Sequence, residues 1–187
     1  WQSVIHQSSL SDADCPELFS FAENDFTYSG ILSGLERFYA NASEPFVLCG
    51  LSLGALLALD YTIRHPEQIS SLILVGAQYK VPTRLIDFQN LIFRCMPENA
   101  FTDMGLSKHD TIKLSHSMRM LDFSPKLSEL HCPVSVICGK KDRANLKAAK
   151  QLHALLPQSH LHIIPNAGHE VNKDAPKALA ALIKNCI

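Results

Sequence analysis

Several features that would assign a protein to a class at once are missing from this 187-residue chain. Seventeen lysines and arginines face 18 acids, so there is no net positive field to recruit nucleic acid or an anionic membrane surface. No basic run or basic-aromatic stripe offsets that balance. The longest nearly apolar stretch, Phe46 to Leu59, is about fourteen residues and is broken by glycines, too short for a typical membrane span. The six cysteines (Cys15, Cys49, Cys95, Cys132, Cys138 and Cys186) are scattered without a C-x-x-C pair, which reads as reduced thiols in a cytoplasmic setting. No secretory signal, internal repeat or low-complexity segment is visible. His160 and His162 share one face of a strand, but no carboxylate or thiol is spaced to join them as ligands. They read as a surface pair, and neither metal nor cofactor is expected.

What is present is ordinary globular composition, 47% apolar and 19% charged, in a length suited to one domain with an insertion. Short apolar runs alternate with helical patterns, which predicts an α/β fold with a mostly parallel sheet flanked by helices. Expected strands are Leu18–Ala22, Phe46–Cys49, Ser71–Val75, Val134–Cys138 and His160–Ile164. Expected helices are Tyr28–Ala40, Leu53–Arg64, Ala144–Leu156 and Ala175–Lys184, with a partial one near Trp1–Ser8. Pro66 should end the helix before it, and Asp174 should cap the last helix with Pro176 in its first turn.

Residues 78–125 break the alternation and predict a small helical cap, leaving 1–77 and 126–187 as the core. Leu85, Ile86, Phe88, Leu91 and Ile92 form one amphipathic pattern there, and Ile112, Leu114, Met118 and Leu121 another. All four methionines (Met96, Met104, Met118 and Met120) fall in this stretch and suit the lining of an apolar site as well as simple packing. Its Arg84, Arg94 and Arg119 could anchor a carboxylate substrate, although Asp87, Asp103, Asp110 and Asp122 stand near to pair with them.

The passage Phe46-Val47-Leu48-Cys49-Gly50-Leu51-Ser52-Leu53-Gly54 carries the chemistry. A buried strand runs into G-x-S-x-G and then directly into a helix, the arrangement that lifts a serine hydroxyl clear of a sheet edge. Gly50 and Gly54 are expected to avoid backbone collisions in the tight turn, and the Leu53 N–H faces the place of an oxyanion. A serine needs a base, and the base needs a carboxylate to orient it. Asp142 follows the strand Val134–Cys138 and a glycine turn, while His169 ends the loop after His160–Ile164. All three residues fall beyond the carboxyl ends of strands, where sites of open α/β sheets gather, in the chain order Ser, Asp, His. Glu170 is the alternative acid, disfavoured because neighbours in sequence rarely face the same way.

These segments resemble the α/β-hydrolase superfamily, in particular its small capped esterases, lactonases and related lyases. The likeness rests on G-L-S-L-G at Gly50–Gly54, R-H-P-E-Q-I-S-S-L-I-L-V at Arg64–Val75, C-P-V-S-V-I-C-G-K-K-D ending at Asp142, and N-A-G-H-E-V-N around His169. It implies Ser52 as nucleophile, His169 as general base and acid, and Asp142 as the orienting acid. The implied reaction is hydrolysis of a small, largely apolar ester or lactone through an acyl-enzyme. Carbon–carbon bond cleavage, lyase chemistry, perhydrolysis, or a binding protein on the same fold stand as alternatives. The family's early strands and His-Gly oxyanion loop have no counterpart, and the chain starts at Trp1. The core is therefore expected to be N-terminally incomplete, with a sheet edge open to self-association.

Overall fold

The computed structural model describes residues 1–10 and 13–186. In chain order the elements are α1 (Gln2–Ser8), α2 (Tyr28–Tyr39), β1 (Phe46–Leu51), α3 (Leu53–Arg64), β2 (Ile69–Val75), α4 (Thr83–Cys95), α5 (Lys108–Ser117), β3 (Val134–Gly139), α6 (Leu146–Leu155), β4 (His160–Ile164), α7 (Val171–Asp174) and α8 (Pro176–Lys184). The four strands form one parallel sheet in the order β1-β2-β3-β4. The fold class read from the alternating pattern is the one observed, and α3 and β4 have the limits expected of them.

Register decides which side chains meet which layer of helices. Ile73 and Val75 of β2, Ile137 of β3 and Ile164 of β4 pack with Val4 of α1 and Leu179, Ala180 and Ile183 of α8. Val47, Cys49 and Leu51 of β1 lean on the same cluster. Side chains alternate along a strand, so Leu72, Leu74, Val134 and Val136 point the other way, where α3 and α6 contact the strands. With both faces covered, Leu72–Val75 have no exposed surface, nor do Val136–Cys138, which is why these strands read as continuous apolar runs. Burial pushes the Cys138 thiol up to about 11 and the Cys49 thiol up to about 12, so both behave as small apolar groups.

Helix α3 is buried from Ala55 to Ile63. Its one buried acid, Asp60, takes a 2.8 Å ion pair from Arg64 one turn later. The helix stops at Arg64 because His65, ahead of Pro66, leaves the helical basin at φ −130°.

By packing, the chain forms two compact units. One comprises Trp1–Cys15, Ala42–Tyr79 and Phe123–Ile187; the other comprises Pro16–Asn41 and Lys80–Asp122. The segment 16–41, placed with the core on sequence grounds, thus groups with residues 80–122. Within that second unit the Ser117 hydroxyl accepts from the Tyr28 N–H at 2.8 Å, and Lys113 pairs with Asp25 at 3.0 Å. Arg119 grips Asp87, Lys80 grips Asp122, and Asp110 bonds Ser107 at the start of α5. Arg119 is therefore occupied by a local acid. The side chains of Leu85, Asp103 and Met104 lie outside the described residues.

Two local expectations fail, each for a readable reason. Leu18–Ala22 is a 3-10 helix and not a strand. Its apolar residues do not alternate; Leu18 and Phe21, like Phe19 and Ala22, are three apart, the repeat of a 3-10 turn. Asp174 does not cap α8, whose cap is Ala175. Pro176 holds Ala175 out of the helical region, so Asp174 stays in the preceding turn and its carboxylate accepts from the Gly168 N–H at 2.6 Å. No helix among the described residues is long and apolar enough to cross a membrane.

Leu179 is fully buried against the sheet. Leu179→Ala is expected to cost about 2–5 kcal/mol in urea unfolding, whereas Phe88→Ala, on an exposed helix face, stays within about 0.5 kcal/mol.

Candidate active site

At the end of β1 the chain turns through Ser52, whose φ of +56° and ψ of −115° lie where residues with side chains rarely go. Three contacts enforce this conformation. The Ser52 N–H donates to the Val75 carbonyl at 2.9 Å, extending the β1–β2 ladder past its last pair. The Ser52 carbonyl accepts the first helical bonds, from Ala55 at 3.0 Å and Leu56 at 3.2 Å. Gly50 lies so close to the next turn that a Cβ there would stand 2.1 Å from the Gly54 carbonyl oxygen. The N–H groups of Leu53 and Gly54 precede those first bonds and have no partner within the helix. Ser52 caps the helix without using its side chain, which leaves the hydroxyl free of a capping bond.

Gly54 differs from expectation. A Cβ at this position meets nothing within 4 Å, so no collision requires a glycine there. The tight approach in the turn falls on Gly50 alone.

The next two strands bring up the acid and the histidine. Past β3, the Lys140 and Lys141 N–H groups donate to the Ile164 and Ala167 carbonyls, both at 2.9 Å, tying the acid turn to the histidine loop. The two loops press together at Gly139, where a Cβ would stand 2.1 Å from the Gly168 carbonyl oxygen and 2.5 Å from that of Ala167. Asn166 turns the chain after β4 at φ +65°, a conformation asparagine tolerates better than most residues. Asp142 and His169 meet as a result, Oδ2 to Nδ1 at 2.8 Å. The Asp142 side chain is 4% exposed and the imidazole 41%, so the acid is sealed under a ring open to solvent. A carboxylate offers only acceptors, so Nδ1 carries the imidazole proton and Nε2 is left with its lone pair.

Ser52 and His169 lie on the same stretch of sheet edge. Val75, which holds the Ser52 N–H, is followed by Gly76, whose missing Cβ would stand 3.1 Å from His169 Nδ1 and 3.6 Å from Asp142 Oδ2. One residue of β2's trailing end thus separates the serine's anchor from the histidine–acid pair. Glu170, the alternative acid, points elsewhere and pairs with Lys173 at 2.6 Å. His160 and His162 have ring centroids 6.5 Å apart, and desolvation together with His160 pulls the His162 pKa down. Among the described residues no three potential ligands converge on a metal position.

Asn145 was not marked by the sequence reading. Its amide nitrogen donates to both Asp142 carboxylate oxygens, at 3.0 and 2.8 Å, and its backbone N–H to Oδ1 at 3.2 Å. The signal was present as an Asp followed three residues later by the start of a helix, where Asp side chains accept local backbone bonds.

Residues 35–124 match a hydrolase family described as serine aminopeptidase, S33. The chain is 25% identical over 174 residues to an Escherichia coli K12 protein named "Putative carbamate hydrolase RutD", with 76% of this chain covered. It spans 65% of the length of that curated relative. An esterase from Exiguobacterium antarcticum superposes with a TM-score of 0.75 at 17% identity, over 97% of this chain and 85% of that one. A thermophilic esterase from Thermogutta terrifontis gives 0.67 at 19% identity, over 85% of this chain and 71% of its own. The chain has the α/β-hydrolase fold. Its parallel sheet, with a sharp turn at Ser52 and helices on both faces, is the α/β-hydrolase core.

The two glycines of the turn at Ser52 should respond differently to substitution. Gly50→Ala forces backbone apart and is expected to lower stability by about 1–3 kcal/mol in urea unfolding. Gly54→Ala, a glycine-to-alanine change in a helix with open space, should be neutral or stabilising by up to roughly 1 kcal/mol.

Proposed function

We propose that this protein is a serine hydrolase of a small, largely apolar ester, lactone or related acyl compound, acting through Ser52, His169 and Asp142. The observation that carries the reading is the shared sheet edge. A serine in strained backbone geometry is anchored to Val75, and the adjoining Gly76 packs under an imidazole already hydrogen-bonded to a buried acid. The names of the relatives support the same class of reaction: two esterases and a protein named for carbamate hydrolysis. An ester and a carbamate both present a carbonyl carbon to the same nucleophile.

In the proposed reaction the Ser52 hydroxyl attacks the carbonyl carbon while its proton passes to His169 Nε2. Negative charge forms on the carbonyl oxygen, and the Leu53 N–H at the positive end of α3 stabilises it. The carbon–oxygen bond to the leaving alcohol breaks as His169 returns the proton to that oxygen. Water, deprotonated by the same imidazole, then cleaves the acyl-serine and regenerates the free hydroxyl. Asp142 holds the ring in the tautomer that leaves Nε2 available and stabilises the imidazolium in each half-reaction. Carbon–carbon cleavage, lyase chemistry and perhydrolysis would use the same nucleophile and base.

A fluorophosphonate probe tests the reading. One probe per chain is expected, and Ser52→Ala should abolish labelling while leaving the unfolding midpoint unchanged. No labelling of the folded protein would favour a binding role on this fold. Asp142→Asn should lower ester turnover by roughly ten-thousandfold, through the wrong imidazole tautomer. If Glu170→Gln produced that loss instead, the acid would be misassigned.

A further inference from the structure

We propose that Asn145, its amide oxygen engaged by Gln78, is a positioning residue for the Asp142–His169 pair. The inference rests on the hydrolase reading above and extends it to how the acid is held.

An asparagine amide has one accepting end and one donating end, and here each has a single suitable partner. The Asn145 nitrogen faces both oxygens of Asp142, at 3.0 and 2.8 Å. The Asn145 oxygen accepts from the Gln78 side-chain nitrogen at 2.7 Å. Flipping the amide would set oxygen against carboxylate at one end and nitrogen against nitrogen at the other. Asp142, which only accepts, therefore dictates which end of Asn145 meets it, and Gln78 occupies the oxygen left over.

The consequence reaches the imidazole. The Asn145 amide nitrogen lies 3.1 Å from His169 Nδ1, and both groups approach Asp142 Oδ2. With the Asn145 backbone N–H on Oδ1, the carboxylate is held on both oxygens and cannot rotate away from the ring. Asn145 is itself buried, so water does not readily replace its amide. Gln78 is only partly buried, which lets it be altered without opening the core.

The experiment uses the whole chain and compares Asn145→Ala, Gln78→Glu and the double variant. The readouts are turnover of a p-nitrophenyl ester and the downfield proton NMR signal of the hydrogen-bonded imidazole. Asn145→Ala should lower kcat by roughly ten- to a hundredfold with KM little changed, as expected for losing the amide's hydrogen bonds to a charged group. Gln78→Glu, nearly the same shape, sets an acceptor against the Asn145 oxygen, repels it, and should give a smaller loss of the same kind. The double variant should then be no slower than Asn145→Ala alone, because Gln78 acts only through Asn145. In both single variants the imidazole proton signal should shift or broaden in protein that circular dichroism shows to be folded, with the unfolding midpoint of Asn145→Ala lowered because the buried carboxylate loses donors.

Parent-like kcat and an unmoved proton signal in both single variants would overturn the proposal. So would losses that multiply in the double variant. The NMR readout needs no turnover, so it decides the positioning role even if fluorophosphonate labelling of Ser52 fails and the hydrolase reading falls.

Discussion

The site depends on main-chain hydrogen bonds that continue the parallel sheet beyond its last side-chain pairs. Ser52 N–H reaches Val75, Gly76 N–H reaches Ile137, and the Lys140 and Lys141 N–H groups reach Ile164 and Ala167. Each bond fastens the start of one loop to the end of the neighbouring strand or the loop after it, from β1 across to β4. Serine, acid and histidine come from segments up to 117 positions apart (52 to 169), yet each is fixed by the backbone of an adjacent strand. A parallel sheet carries residues that are distant in sequence to one edge, and these bonds convert that edge into defined distances.

The same edge has to accommodate a carboxylate that is almost fully buried. Leaving such a group without partners would cost several kcal/mol, more than most single contacts can offset. Asp142 avoids this with donors from Asn145 and His169 on its two oxygens. Close approach of the two loops at Gly139 makes that geometry attainable, since any side chain there would separate Asp142 from His169. Packing and electrostatics therefore require the same thing of residues 139–145 and 166–169.

Much of this was legible in the sequence because it is written in local patterns. Continuous apolar runs marked β2 and β3, which are covered on both faces, and the proline after His65 marked the end of α3. Ser52, Asp142 and His169 were marked because each lies in the turn or loop that follows a strand. The 3-10 turn at Leu18–Ala22 was misread because four apolar residues among five fit either period when counted loosely. Asn145 escaped notice because an asparagine near a helix start is usually a cap, and its partner Gln78 is 67 positions away in sequence. Pairings of that kind depend on how strands are juxtaposed, which no window of local sequence contains.

Ser52 shows why the rest of the core is so heavily packed. A residue with a side chain in its backbone conformation carries strain of about 1–3 kcal/mol. The bond to Val75 and the two helical bonds to its carbonyl resist relaxation, but each contributes only about 1 kcal/mol net. The remaining resistance comes from α3, since relaxing the turn would swing a helix whose residues Ala55–Ile63 are all buried. Displacing even two of its leucines would forfeit about 3–6 kcal/mol, more than the strain released. The turn is thus held by the helix it launches. Softening α3 by truncating Leu57 or Leu59 should therefore perturb the reactivity of Ser52 before it unfolds the sheet.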